Sequence, residues 1–170
     1  GLDEESGLER GALDGPVPVP MNGAVYMADL AGGQKTGLFY DQRPNHAFAA
    51  GLARGADVLD VFSHVGGFAL ACLAGGAASA LAVDSSQAAL DLAGAGAEAT
   101  GVANRFATRK GDAFTEMEAL AAEGRSFDLV ICDPPAFAPT KQALEAGFKL
   151  YFAKPLNAKE LLVGLSDLLA

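Results

Sequence analysis

The stretch Val58-Leu-Asp-Val-Phe-Ser-His-Val-Gly-Gly-Phe68 decides the fold of this 170-residue chain. A short apolar run, residues 58–62, contains the acidic Asp60. Gly66 and Gly67 follow, and then an Ala/Leu-rich segment of helical character. This order predicts a strand, a tight turn and the start of a helix. Because glycine has no Cβ, such a turn lets a ligand approach the backbone closely. We interpret the stretch as part of a nucleoside-cofactor site.

A second predicted strand, residues 80–83, ends in Asp84. The distance along the chain from Asp60 to Asp84 fits one strand-helix-strand unit. An acidic residue at that point can accept hydrogen bonds from both hydroxyls of a ribose. Asp84 could instead cap the following helix, although Ser85 or Ser86 could supply that cap. The ribose role is the favoured interpretation.

Strands and helices alternate along the rest of the chain. The predicted strands are 58–62, 80–83, 105–110, 127–132 and 149–153, and the predicted helices are 67–73, 86–98, 113–123, 140–146 and 157–169. This pattern predicts an α/β, three-layer, Rossmann-like doubly wound parallel sheet of about five strands in the order 3-2-1-4-5. Such sheets bind ligands at the carboxyl ends of their strands. Four acidic residues should gather there: Asp60, Asp84, Asp112 and Asp133.

The chain before residue 58 predicts a different element. Residues 1–15 are polar and acidic, which is typical of a poorly ordered tail. Residues 15–30 contain Asn22-Gly23 between extended arms, which predicts a β-hairpin that could be an appendage. Residues 41–53 predict a helix. Near its start, Arg43 is either a solvated residue or a lip over the cofactor pocket. The predicted units are therefore 1–40, 41–143 and 144–170.

Two further acidic motifs follow predicted strands. Asp112 could accept a hydrogen bond from an adenine amino group, with Ala113 and Phe114 against the ring, or it could cap a helix; both readings stay open. Asp133 precedes two prolines, which fix an extended exit from the strand and hold the carboxylate at the sheet edge. A plain structural turn would account for that motif equally well.

The cysteines and histidines give no catalytic pair. Cys72 and Cys132 lie in apolar segments without metal-like spacing and are predicted to be core thiols. His64 could be a lip residue in the glycine turn, and His46 is expected to face solvent. No Ser-His or Cys-His arrangement indicates nucleophilic catalysis.

Composition restricts the environment and the partners. No apolar run reaches the roughly 18 residues of a membrane span, and no signal peptide is visible, so a reduced, cytoplasmic protein without membrane contact is expected. The first residue is Gly1 rather than Met, which suggests a trimmed tag or a shortened chain. The net charge is −9. That acidity argues against strong RNA affinity for this chain alone, since RNA binders present basic faces.

Together these motifs resemble the class I S-adenosylmethionine-dependent methyltransferases. The closest resemblance is to the group like ribosomal RNA large subunit methyltransferase I, which methylates cytosine C5. It covers roughly residues 8–142 and is carried by motifs in the family's order: Gly33-Gln34-Lys35-Thr36-Gly37, Asp41-Gln42-Arg43, Leu59-Asp60-Val61-Phe62, Gly66-Gly67-Phe68, Val83-Asp84-Ser85-Ser86, Gly111-Asp112-Ala113-Phe114 and Asp133-Pro134-Pro135-Ala136-Phe137.

The resemblance implies a set of cofactor-binding positions. Asp60, Gly66 and Gly67 would surround the methionine part of S-adenosylmethionine, and Asp133 would stand at the methyl-transfer edge and position the substrate. The remaining implied positions are Asp84 on the ribose and Asp112, Ala113 and Phe114 near the adenine. Phe62 and Ser85 are further cofactor-binding positions, and Arg43 would lie at the lip.

The chain also departs from the family. Family members usually carry an N-terminal RNA-binding domain and a Ser-Cys-Ser-like element that supplies the cysteine for C5 methylation, and neither is found in this sequence. Residues 144–170 instead resemble the last strand and helix of a response-regulator receiver domain, in which a pair such as Lys154-Pro155 ends the strand. A chimera is one hypothesis, and a diverged or truncated natural methyltransferase is the other.

Three functions follow. The leading one is an S-adenosylmethionine-binding methyltransferase scaffold whose RNA cytosine activity has been lost, so that enzyme status is uncertain. The alternatives are an active methyltransferase on RNA or another substrate, and an engineered α/β scaffold without a ligand. A receiver with a signalling role is the weakest reading. If the last helix leaves an apolar patch, a homodimer is expected.

Overall fold

The computed structural model describes residues 13–30 and 37–135. Its regular elements, in chain order, are β1 (Val17–Met21), β2 (Ala24–Ala28), α1 (Arg43–Leu52), β3 (Asp57–Val61), α2 (Gly67–Ala74), β4 (Ser79–Asp84), α3 (Gln87–Thr100), β5 (Phe106–Lys110), α4 (Ala113–Ala122) and β6 (Leu129–Cys132). These elements agree with the predicted ones to within about two residues at nearly every end.

The main sheet has four parallel strands in the order β5-β4-β3-β6. Val58 of β3 is level with Ala80 of β4 and Leu129 of β6, so the strand ends line up. This order is the predicted 3-2-1-4, and the α/β Rossmann-like class is confirmed. The predicted fifth strand, 149–153, and the predicted helices 140–146 and 157–169 lie outside the described residues.

The strands bury both faces of the sheet. In β3, Val58 belongs to one hydrophobic cluster together with Leu70 of α2, whereas Leu59 belongs to a second cluster with Leu120 of α4. Successive side chains of a strand point to opposite faces. Helices therefore cover both faces, as the predicted three-layer fold requires.

The predicted hairpin is present as β1 and β2, paired antiparallel from Val17–Ala28 to Met21–Ala24. Asn22 and Gly23 have φ values of +53° and +80°, which the tightest hairpin turns need. The hairpin forms a sheet of its own but packs into the main core. Tyr26 is fully buried and belongs to the main core, because alternate residues of β2 face the helices.

None of the helices in the described ranges is long and apolar enough to cross a membrane.

Candidate functional site

The turn after β3 has an unusual backbone. Phe62, His64 and Gly66 all have positive φ values, +61°, +50° and +76°. Positive φ is uncommon for residues with a Cβ, and such residues concentrate at ligand-binding sites. The turn is closed by the Gly66 N–H, which donates to the Ser63 carbonyl at 2.8 Å. Residues 62–66 therefore form a tight, well-defined loop at the carboxyl end of β3, which we call the glycine loop.

The two glycines of this region are required by internal packing. A Cβ on Gly66 would lie 3.1 Å from the Ala93 Cβ, and a Cβ on Gly67 would lie 2.8 Å from His46 Nε2. The fold therefore explains both glycines without a ligand, and the predicted ligand approach at this turn stays a prediction.

Asp60 lies beneath the glycine loop, only 1% exposed, and accepts a hydrogen bond from the Ala69 N–H at 2.9 Å. Burial raises the pKa of Asp60 to about 7. The Ala69 hydrogen bond opposes this rise, and the charges of Asp133 and Asp84 add to it. The carboxyl group thus changes charge near neutral pH, at the start of α2.

This raised pKa predicts a pH dependence of stability. A carboxyl group whose folded-state pKa exceeds its ordinary 3.8 favours the folded state most below pH 4, and that contribution is lost as the pH rises to about 7. Between these pH values the native protein should lose on the order of 4 kcal/mol relative to Asp60→Asn, which cannot ionise. Urea unfolding of both proteins across this range is the measurement. Parallel curves for the two proteins would contradict the prediction.

Asp84 ends β4 and faces the glycine loop. Its Oδ2 accepts from the His64 N–H at 2.8 Å, and its Oδ1 accepts from the Ser86 N–H at 2.9 Å. Each carboxylate oxygen can accept further hydrogen bonds. Ser86 is the residue that caps α3, since its Oγ accepts from the Ala89 N–H. Ser86 rather than Asp84 therefore caps α3. The Asp84 carboxylate is an oriented, partly exposed hydrogen-bond acceptor, and Ser85 lies exposed beside it.

Asp112 is the N-cap of α4. Its Oδ1 accepts from both the N–H and the hydroxyl of Thr115, and these bonds lower the pKa of its carboxyl group. The capping role that the sequence left open is thus present, and the adenine role is untested. Ala113 is buried in the cluster beneath α4.

Two aromatic rings bring β3 and α4 together at this edge. The rings of Phe62 and Phe114 meet edge to face, with centroids 5.9 Å apart. Both side chains are partly exposed. Phe62 follows β3 and Phe114 lies in the first turn of α4 after β5, so the two rings meet across the end of β4. Such a pair can present an apolar ring face or edge to a ligand ring.

Asp133 follows β6 at the edge of the site, and Arg43 lies at the start of α1. The Asp133 N–H donates to the Val61 carbonyl at 3.4 Å, which continues the sheet past β6 and leaves the carboxylate half-buried. Arg43 is the first residue of α1 and is exposed, and its carbonyl accepts from Asn22 Nδ2 at 2.9 Å. The structure thus brings Asp60, Asp84 and Asp133 together, and it places Arg43 at the outer surface of the helix start.

Sequence reasoning missed two buried residues near the loop. His46, expected to face solvent, is 6% exposed, because α1 turns it inward onto Phe68, with ring centroids 4.5 Å apart. Tyr26 donates from its hydroxyl to the Gly67 carbonyl at 3.1 Å. The alternation in β2 already placed Tyr26 on a face with Ala24 and Ala28. Its contact with α2 depends on long-range packing that no local pattern reveals.

Cys72 is buried in the main core, and Cys132 is half-buried against the second hydrophobic cluster. Burial raises the pKa of Cys72 to about 12 and of Cys132 to about 11, so both are protonated at neutral pH. Within residues 13–30 and 37–135, no group of three His, Cys, Asp or Glu side chains is arranged to hold a metal ion. The structure therefore agrees with the prediction of core thiols.

A parallel sheet with a glycine loop after its first core strand and an oriented carboxylate after its second is the arrangement of an α/β protein of Rossmann-like class. The sequence pattern of the family described as S-adenosylmethionine-dependent methyltransferase matches residues 15–170. The chain belongs to this family.

Two relatives illustrate the match. The chain is 34% identical over 164 residues to ribosomal RNA large subunit methyltransferase I of Erwinia tasmaniensis, an alignment covering 95% of this chain and 41% of the relative. It is 38% identical over 152 residues to the protein of the same name from Alteromonas mediterranea, covering 89% and 38%. The chain thus spans about two fifths of the length of these relatives.

A solved structure shows the same fold. The crystal structure of SMU.776, named as a methyltransferase and complexed with SAH, superposes with a TM-score of 0.75 at 24% identity. The match covers 94% of this chain and 48% of that one. At this level of identity the likeness concerns the fold alone.

Proposed function

We propose that the edge formed by the glycine loop, Asp84 and the Phe62–Phe114 pair binds S-adenosylmethionine, as part of an RNA methyltransferase. The observation that carries the proposal is the Asp84 carboxylate, which backbone N–H groups of His64 and Ser86 hold in a fixed orientation at the strand end. A fixed acceptor loses little entropy when it binds the two hydroxyls of a ribose.

The other residues fit the rest of the cofactor. The adenine would lie against the Phe62–Phe114 pair, with Asp112, Ala113 and Ser85 at its border. The methionine part would lie over Gly66 and Gly67, with Asp60 beneath and Arg43 at the rim. The strands β5, β4 and β3 lie in that order in the sheet, and the adenine, the ribose and the methionine part would lie at their carboxyl ends in the same order.

Charge supports a cationic ligand. Asp60, Asp84 and Asp133 lie close enough together that the charges of the latter two raise the pKa of Asp60. A cation placed among them reduces this repulsion. When bound, S-adenosylmethionine supplies a methyl group on a positively charged sulfur, and the chain's own contribution is to hold that group in line with an acceptor. Asp133, at the rim, would position the substrate.

RNA is the proposed substrate class, and its support is the name of the curated relatives, which are ribosomal RNA methyltransferases. Methylation at cytosine C5 needs a thiolate that adds to the ring. Both cysteines of this sequence keep their protons at neutral pH, because burial raises the pKa of each thiol. We therefore propose that this chain by itself binds the cofactor without methylating cytosine C5.

Calorimetric titration with S-adenosylmethionine and S-adenosylhomocysteine tests the cofactor part. One saturable site is expected for each. A folded chain that releases no heat with either compound, at several temperatures, would overturn the proposal.

Incubation with labelled S-adenosylmethionine and protein-free large-subunit ribosomal RNA tests the second part of the proposal, the lack of methyl transfer. No labelled 5-methylcytosine is expected, and its appearance would contradict the proposed lack of transfer.

A second candidate is methyl transfer to an amino group oriented by Asp133. The half-buried position of this carboxylate beside Asp60 favours it, since a carboxylate can accept a hydrogen bond from the reacting amine. Label in methylated adenine or guanine in the same assay would support this candidate.

The chimera hypothesis concerns residues 144–170, which lie outside the described residues. The family pattern extends through them, and the hypothesis stays a prediction.

A further inference from the structure

The backbone of Gly67 is contacted by side chains from two elements outside the main sheet. The Tyr26 hydroxyl of β2 donates to the Gly67 carbonyl at 3.1 Å. His46 of α1 lies so close that a Cβ on Gly67 would be 2.8 Å from its Nε2. The residue that starts α2 is therefore supported both by a hydrogen bond and by a ring.

Tyr26 and His46 belong to a row of three neighbouring rings that ends at Phe68. Tyr26 and His46 are stacked with centroids 6.2 Å apart and planes inclined by 26°, and His46 meets the Phe68 ring edge to face at 4.5 Å. Tyr26 is fully buried, and burial raises the pKa of its phenol, so the hydroxyl stays protonated and able to donate. Burial lowers the pKa of His46, which favours its neutral form.

The hairpin that carries Tyr26 is held independently on α3. The Val25 N–H donates to Thr100 Oγ1 at 2.9 Å. Gly96 allows the Val25 carbonyl to approach α3, since a Cβ on that glycine would lie 2.9 Å from the carbonyl oxygen. The hairpin thus has one anchor on α3 and one contact with the start of α2, and these can be altered separately.

A displacement of the Gly67 backbone would also displace backbone groups that hydrogen-bond to Asp60 and Asp84. The Ala69 N–H, two residues further on, donates to Asp60. On the other side the glycine loop is tied to Asp84 by the His64 N–H. The position of the Gly67 backbone therefore affects both carboxylates at once.

We infer that Tyr26 and His46 are positioning residues of the cofactor site, which hold the backbone at Gly67 and make the hairpin a working part of that site. This inference rests on the proposed function. It assigns to the hairpin a role in ligand affinity in addition to its place in the core.

The first test is Tyr26→Phe, which removes the hydroxyl and keeps the ring. The dissociation constant for S-adenosylhomocysteine should rise about three- to tenfold, the effect of one lost hydrogen bond that orders a site. The matched control is Thr100→Val, which removes the anchor on α3 and leaves Gly67 untouched. It should lower the melting temperature but keep the dissociation constant within about twofold. If both variants raise it equally, the inference is wrong.

A second variant removes the ring support. His46→Ala should also raise the dissociation constant, and it should add little when combined with Tyr26→Phe, because both changes free the same backbone group. Fully additive effects of the two changes would mean that they act on separate parts of the protein and would overturn the inference.

Amide hydrogen exchange in the absence of cofactor separates this inference from the proposed function. The Phe68 and Ala69 amides, which bond to Asp60, should exchange several times faster in Tyr26→Phe than in the native chain, whereas amides of β5 should not change. If the native chain binds no S-adenosylhomocysteine, the proposed function fails while this readout still supports the positioning role. If exchange at these amides is unchanged in Tyr26→Phe, the positioning role is overturned, whatever the native chain binds.

Discussion

Replacing Asp84 by alanine is expected to weaken S-adenosylhomocysteine binding by roughly 100-fold or more. Under the proposed ribose role, the variant loses two hydrogen bonds from ribose hydroxyls to a carboxylate, each worth roughly 1.5–3 kcal/mol. It also frees the His64 and Ser86 N–H groups that the carboxylate holds, so the glycine loop loses one of its ties. Calorimetric titration gives the dissociation constant directly.

The matched control is Asp91→Ala. Asp91 is an exposed carboxylate on α3 and accepts a hydrogen bond from the Gln87 side chain at 2.8 Å, so its loss changes the net charge equally. Its dissociation constant should stay within about twofold of the native value, since surface charges are screened by salt. An Asp84→Ala protein that melts normally and binds as tightly as this control would refute the assigned ribose role.

Replacing Gly66 by alanine is expected to destabilise the fold by roughly 2–4 kcal/mol and to abolish detectable cofactor binding. The positive φ of Gly66, +76°, costs a residue with a Cβ roughly 1–2 kcal/mol. In addition, the new Cβ would lie 3.1 Å from the Ala93 Cβ and 3.3 Å from Leu70 Cγ, and such crowding costs roughly 1–3 kcal/mol. Relief of this crowding would move α2 away from α3, and the glycine loop with it.

Gly101→Ala is the control for this variant. Gly101 follows α3 with a φ of +77°, almost the same as Gly66, yet a Cβ there meets nothing within 4 Å. It should lose only about 1 kcal/mol, the backbone part of the effect, and should bind cofactor normally. Urea unfolding and calorimetry of both variants make the comparison. Equal losses of stability would show that the packing of α2 on α3 contributes nothing at Gly66.

The sheet can be predicted from the sequence because its signals are local. The apolar run at residues 58–62 and the similar runs after it indicate strands, and short connections restrict their order. Asp60 and Asp84 can be located for the same reason, since each lies near the end of a strand whose place in the sheet follows from the alternation. The hairpin at Asn22-Gly23 is equally visible, because two consecutive residues with positive φ have a strong sequence preference.

The remaining features depend on long-range contacts. His46 is expected at the surface from its local sequence, but α1 packs against α2 and turns this side chain inward. The hairpin looks like an appendage, whereas Gly96 and Thr100 of α3, some 70 residues later, bring it into the core. The crowding that a Cβ would meet at Gly66 and Gly67 comes from Ala93 and His46, which lie at least 20 residues away along the chain. Local patterns give the type of each element but do not show which residue it will meet.

The most direct test of the central claim is an NMR titration of the ¹⁵N-labelled chain with S-adenosylhomocysteine. Saturable chemical-shift changes are predicted in the amides of residues 62–69, 84–86 and 112–114. The amides of β1 and of the end of α3 farther from residues 84–86 should not change. Saturable shifts centred elsewhere, or a well-dispersed spectrum that does not change at millimolar ligand, would contradict the assignment of this edge as the cofactor site.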